Sequence, residues 1–156
     1  MKLVERELRI DAPPSVVYEL LTDATRFAEW MAPAASLDPT PGGEVTWTHV
    51  NGDRVGGTFL ELVPDRRIVF TFGWDRADVG VPPGSTTVAI DLRPTGDGGT
   101  QLRLVHSGLA GPMSDAHGGG WDNYLGRLAA VAAGQDPGPD ALEAERVPSA
   151  RALGIG

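Results

Sequence analysis

Three histidines, His49, His106 and His117, have the most to offer chemically in this chain. An imidazole titrates near neutrality, so it can move a proton, hold the polar end of a ligand or bind a metal. His106 falls at an inward position near the end of a strand. His117 opens the stripe of the last helix that faces the same space, so the two are expected to meet at the mouth of a pocket. The other outcome is that each imidazole hydrogen-bonds locally, at a surface or in a loop. No HExxH spacing or comparable pattern is present, so no metal is expected. His106, Ser107 and Asp115 invite a nucleophilic triad, but adjacent strand residues point to opposite faces and no Gly-x-Ser-x-Gly elbow exists. Gly118, Gly119 and Gly120 have the look of a phosphate-cradling turn, yet no Lys followed by Ser or Thr completes it. Close helix approach, or a soft gate over the glycine-rich residues 109–120, is the better reading. Neither a catalytic residue nor a cofactor is assigned.

Composition narrows the field further. The 156 residues fit one domain, read as residues 1–136, with residues 137–156 as a partly disordered tail. A hydrophobic fraction of 41% supports a real core. The formal net charge of −8, with Lys2 as the one lysine, argues against nucleic acid and against an anionic membrane surface. Cysteine is absent, which removes disulfides and thiolate chemistry. The opening residues, MKLVERELRI, contain no apolar signal core, and no run approaches the ~20 apolar residues of a membrane span. A cytoplasmic protein without membrane insertion is the expectation.

The elements that must position these side chains follow from periodicity. Residues 3–10 read as a strand, broken at Asp11-Ala12-Pro13-Pro14. Val17, Leu20, Leu21 and Ala24 make a short helical stripe, and Thr22-Asp23 cap a second short helix carrying Phe27, Trp30 and Met31. The period then becomes two, over residues 44–49, 57–63, 67–74, 85–93 and 101–107, with turn signals at Asn51-Gly52-Asp53 and Gly96-Asp97-Gly98-Gly99. A last helix over residues 115–133 aligns His117, Trp121, Tyr124, Leu128 and Val131. This β-α-α-β5-α order predicts an α+β fold: a curved antiparallel sheet wrapped around the long C-terminal helix.

Large rings on the strands opposite alanines and glycines on the helix are expected to leave room between them. The candidate lining is Trp30, Trp47, Phe59, Phe70, Phe72, Trp74, Ile90, His106, His117, Trp121 and Tyr124. The competing expectation is that these rings pack solidly as core.

The order resembles the helix-grip fold of the START-like, birch-pollen-allergen superfamily (SRPBCC), and within it the domains similar to the activator of heat-shock protein 90 ATPase. The residues that carry the likeness are Ile10-Asp11-Ala12-Pro13, Trp30, residues 57–64, residues 67–72, Ser85-Thr86-Thr87-Val88, residues 100–108 and Gly120-Trp121 with Tyr124-Leu125. The resemblance covers about residues 3–134. It implies a hydrophobic cavity under the last helix, no obligatory cofactor and roles in bacteria that are mostly unassigned. Chaperone stimulation belongs to members with an additional domain, so it is not carried over. The leading functional expectation is a small-molecule binding protein for an apolar or aromatic ligand, as monomer or homodimer and more a binder than an enzyme. A polyketide cyclase or aromatase using the same cavity is the alternative, and a protein-interaction domain the third.

Overall fold

The alternating stretches pair into one antiparallel sheet in the computed structural model, which describes residues 2–155. Its strands are β1 (Val4–Ile10), β2 (Ala34–Leu37), β3 (Glu44–Thr48), β4 (Arg54–Val63), β5 (Arg67–Phe72), β6 (Thr86–Pro94) and β7 (Thr100–Ser107). They lie in the order β1-β7-β6-β5-β4-β3-β2. The inward face is set by the period of two: Val88, Ile90 and Leu92 on β6 are buried, as are Leu102, Leu104 and His106 on β7. The register places Val88 opposite His106 and Ile90 opposite Leu104.

The sheet departs from its sequence reading at three places, the simplest being that β4 begins at Arg54 rather than Gly57 because residues 54–56 pair with β3. It has one strand more than expected, because β2 forms by pairing Ala34 with Thr48 and Leu37 with Val45. Ala-Ala-Ser-Leu carries no alternation of large residues, so only its neighbour makes it a strand. In addition, β5 ends at Phe72 rather than at Trp74. The Gly73 backbone runs so close to the 82–83 loop that a Cβ there would overlap the Pro82 carbonyl oxygen. Trp74 rejoins the sheet only through a bridge to Val55. A bulge in β4 sits between the pairs Phe59–Phe70 and Glu61–Val69 and turns Leu60 outward. Such bulges bend a strand and increase its twist, which helps the sheet curve.

Helices α1 (Pro14–Thr22) and α2 (Ala24–Phe27) meet at Asp23, which ends the first and caps the second by accepting from the Arg26 N–H at 3.0 Å. The long helix α3 (Gly111–Ala132) starts four residues earlier than its sequence pattern indicates. Pro112 is tolerated in the first turn, where no intrahelical donor is needed. The glycine-rich stretch read as a gate is therefore mostly the first turns of α3, with Met113, Ser114, His117 and Gly118 buried. Ser114 donates to the Lys2 carbonyl at 2.6 Å and fastens the helix to the edge of the sheet. No helix among the described residues is long and apolar enough to cross a membrane.

Residues 137–155, read from sequence as a tail, fold back over the end of the sheet where β3 turns into β4. Leu142, Val147, Leu153 and Ile155 pack against the core. A 3-10 turn at Arg151–Leu153 closes this segment.

Candidate functional site

The sheet and α3 do not leave uniform space between them. At one end the rings are filled in: Phe27 and Trp47 lie 5.1 Å apart and Trp47 and Phe70 6.1 Å. The residual void there is about 10 Å³, room for one water at most. At the other end a pocket of about 150 Å³ opens between α3, the β3–β4 hairpin and the returning C-terminal segment. A hole of that size is comparable to one that accepts a benzene ring.

The expected lining residues divide between these two ends. Trp47, Phe72, Trp74, His117, Trp121 and Tyr124 border the pocket. Trp30, Phe70 and Ile90 surround the small void instead. The Trp30 indole is tied to the Leu20 carbonyl at 2.8 Å, and Phe59 is core packed edge-on against Phe70. His106 is fully buried behind Phe72, with ring centroids 4.6 Å apart. On the helix side the small residues Ala116 and Gly120 stand among the larger rings of His117, Trp121 and Tyr124.

The polar groups of this wall face one another rather than the space. Three tryptophan N–H groups each donate to a histidine: Trp47 to His49 Nε2 at 3.1 Å, Trp74 to His117 Nε2 at 2.8 Å, and Trp121 to His106 Nδ1 at 3.1 Å. The second nitrogen of each ring then carries the proton. His117 Nδ1 donates to the Met113 carbonyl at 2.7 Å. His106 Nε2 donates to Thr86 Oγ1 at 2.8 Å, and that hydroxyl donates to the Phe72 carbonyl at 2.7 Å. His49 Nδ1 faces the Tyr124 hydroxyl at 3.4 Å, which itself donates to Asp140 at 2.7 Å. His106 and His117 do approach, with ring centroids 5.6 Å apart, but inside the wall.

Burial holds all three imidazoles neutral. His106 is pushed down to about 3, by desolvation first and then by its neighbour His117. Desolvation also lowers His117 and His49 below the ordinary histidine value. Tyr124 is raised, by burial and by the Asp140 carboxylate that accepts its proton. Among the described residues, no group of three or more His, Asp or Glu side chains is placed to hold a metal ion.

The mouth contains a feature that sequence reasoning missed. Asp53, whose side chain is 2% exposed, accepts from Arg76 at 2.9 Å, from Arg146 at 2.6 and 3.0 Å, and from the Val147 N–H at 2.8 Å. Burial works to raise this carboxyl, but those donors together hold it below the usual carboxylate value. Asn51 adds a bond from its side chain to the Glu145 carbonyl at 2.8 Å. Leu142, Arg146 and Val147 thereby become the outer wall of the pocket. In the sequence Asp53 is only the last residue of a hairpin turn, and nothing near it points to arginines 23 and 93 positions away.

Likeness to known proteins fits this architecture. An AHSA1-like protein from Rhizobium etli is 43% identical over 94% of this chain and 91% of its own, with a TM-score of 0.68. DynU16, described as a putative protein in the dynemicin biosynthetic locus, is 26% identical over 90% of this chain and 51% of its own, at 0.75. The Aha1 dimer from Colwellia psychrerythraea shares the fold at 18% identity and 0.71, over 85% of this chain and 96% of its own. No curated protein matches the sequence. Residues 11–133 match the family described as Activator of Hsp90 ATPase homolog 1-like protein, and the chain belongs to that family.

Proposed function

We propose that this chain binds a small apolar or aromatic molecule in the pocket beneath α3. The observation that supports this most is the internal pairing of the wall. The indole and imidazole groups around the space bond to one another and the Tyr124 phenol bonds to Asp140, so the inner surface offered to a guest is mainly ring and methylene, with Asn51, Asp53, Glu145 and Arg146 at the mouth. A ligand buried there brings no polar group that lacks a partner, and it gains contact with several rings. The volume of about 150 Å³ favours one ring, or a short branched chain, over a polycyclic body.

Chemistry on the ligand has less support. A general acid or base needs a titratable group free to exchange a proton with the substrate. His117 has both nitrogens engaged, and burial opposes its charging. DynU16 belongs to a biosynthetic locus, but its likeness to this chain is one of fold at 26% identity over half its own length.

The test is native mass spectrometry of freshly purified protein, followed by thermal unfolding with single-ring aromatics. A ligand that binds only the folded chain raises its stability as concentration passes the Kd. A bound small molecule or a dose-dependent rise in Tm is the expected result. No bound species, together with an unmoved Tm across neutral one-ring compounds, refutes the proposal.

A further inference from the structure

The segment that closes the pocket is held in an uneven way. Its two ends are fixed to the body of the fold. At one end Arg127 donates to the Gly138 carbonyl at 2.8 Å, and Tyr124 and Asn123 hold Asp140 at 2.7 and 3.0 Å. At the other, the Ala150 N–H donates to the Asp78 carbonyl at 2.9 Å. Between them, residues 143–146 are exposed, and Leu142, Val147, Pro148 and Ser149 are only partly buried. The middle is therefore held by little apolar area and mostly by hydrogen bonds converging on Asp53, with Asn51 beside it. This segment also lies beyond residues 11–133, the part that matches the family.

We infer that residues 141–149 are a detachable outer wall, fastened by the Asp53 carboxylate, which opens to admit ligand and on closing limits its size. The inference rests on the binding function proposed above and concerns how that same pocket is entered. The carboxylate is suited to this role because it is buried while Arg146 is 54% exposed. The anchor stays with the hairpin, and the half-solvated arginine can leave it without being stranded in apolar surroundings. Opening requires no change in the sheet or in α3.

Fluorobenzene followed by ¹⁹F NMR tests this, because one titration yields both affinity and the rate of exchange between free and bound states. Arg146→Ala removes one fastener at an exposed position and is expected to speed exchange about tenfold. Arg93→Ala, an equal change of charge at the far end of β6, is expected to leave the rate unaltered. The chain has no cysteine. The double variant Asn51→Cys, Glu145→Cys, joined by a short dibromoalkane that forms one thioether at each sulfur with loss of bromide, is therefore singly cross-linked and is expected to slow exchange at least as much. With the linker, 1-fluoronaphthalene is expected to be excluded; in Arg146→Ala it gains more affinity than fluorobenzene does. Binding retained with exchange unchanged by Arg146→Ala and by the cross-link overturns the latch alone. No bound signal in any form of the protein overturns the binding function and the latch with it.

Discussion

Gly118, Gly119 and Gly120 stand in a row inside α3, and the three positions are expected to respond differently to the same added methyl group. A helix-interior glycine costs about 1 kcal/mol relative to alanine, so each replacement starts from that gain. A Cβ at Gly119 meets nothing within 4 Å and points to solvent, so Gly119→Ala should show the full gain and no effect on ligand. At Gly118 the same atom lies 2.7 Å from Arg6 Nη2, which must move from its pairing with Asp122, so the gain there is smaller. At Gly120 a Cβ also meets nothing, but the open space is the pocket. Gly120→Ala should therefore stabilise by about 1 kcal/mol, a rise in Tm of roughly 2–4 °C for a chain of this size. Gly120→Leu adds methyl groups that enter the pocket; burying them should contribute about 1–2 kcal/mol more while abolishing fluorobenzene binding. Calorimetric unfolding and ¹⁹F titration of the four variants settle the matter. If Gly120→Leu keeps its affinity, or if it unfolds earlier than wild type, the space described here is wrong.

Acid should weaken the fold well above the carboxylate range. The folded imidazoles sit below their unfolded value of about 6.5, so the unfolded chain binds more protons as pH falls. Their contribution is complete above about 6.5 and is lost downward toward about 3 for His106, at up to ~1.4 kcal/mol per pH unit for each ring. Denaturant midpoints at pH 7, 6 and 5 should fall in that order, and equal midpoints contradict the buried neutral histidines. His106→Ala leaves the Trp121 N–H without its acceptor beside a new cavity, and should cost about 4 kcal/mol by urea unfolding. Asp53→Ala should cost about 2–3 kcal/mol, less than a fully buried pair because Arg146 is half-solvated, and should expose residues 141–149 to limited proteolysis while the sheet resists. Gly73→Ala places a Cβ on the Pro82 carbonyl and should reduce soluble yield, with Trp74 fluorescence altered in whatever folds.

Where one periodic pattern decides an element, the sequence could be read. The inward residues of β6, β7 and α3 announce themselves at steps of two or of three and four, and the order of elements carried the family likeness. The short edge strand β2 could not be read, since its conformation is imposed by β3 across the sheet. Nor could the fold-back of residues 137–155, whose hold is a set of long-range polar bonds and a few apolar contacts, without any repeat. The site was legible in part. Trp47 on β3 and His49 just past its end stand two apart in the chain, so their pairing is visible locally. Trp74 with His117 and Trp121 with His106 meet only after α3 closes over the sheet. Why Trp30, Phe70 and Ile90 fill one end while the others leave room at the opposite end depends on how the rings interlock, which residue types alone do not specify.

The indole–imidazole couples also constrain how such a protein can change. Losing either member leaves its mate unpaired, at greatest cost in the buried Trp121–His106 couple, since the other two are part-buried beside the pocket. Single substitutions at these six positions are penalised, whereas a matched exchange of both partners for hydrocarbon is far milder. Descendants of this sequence should thus inherit each couple whole or discard it whole, and the taste of the pocket should shift in jumps rather than by degrees.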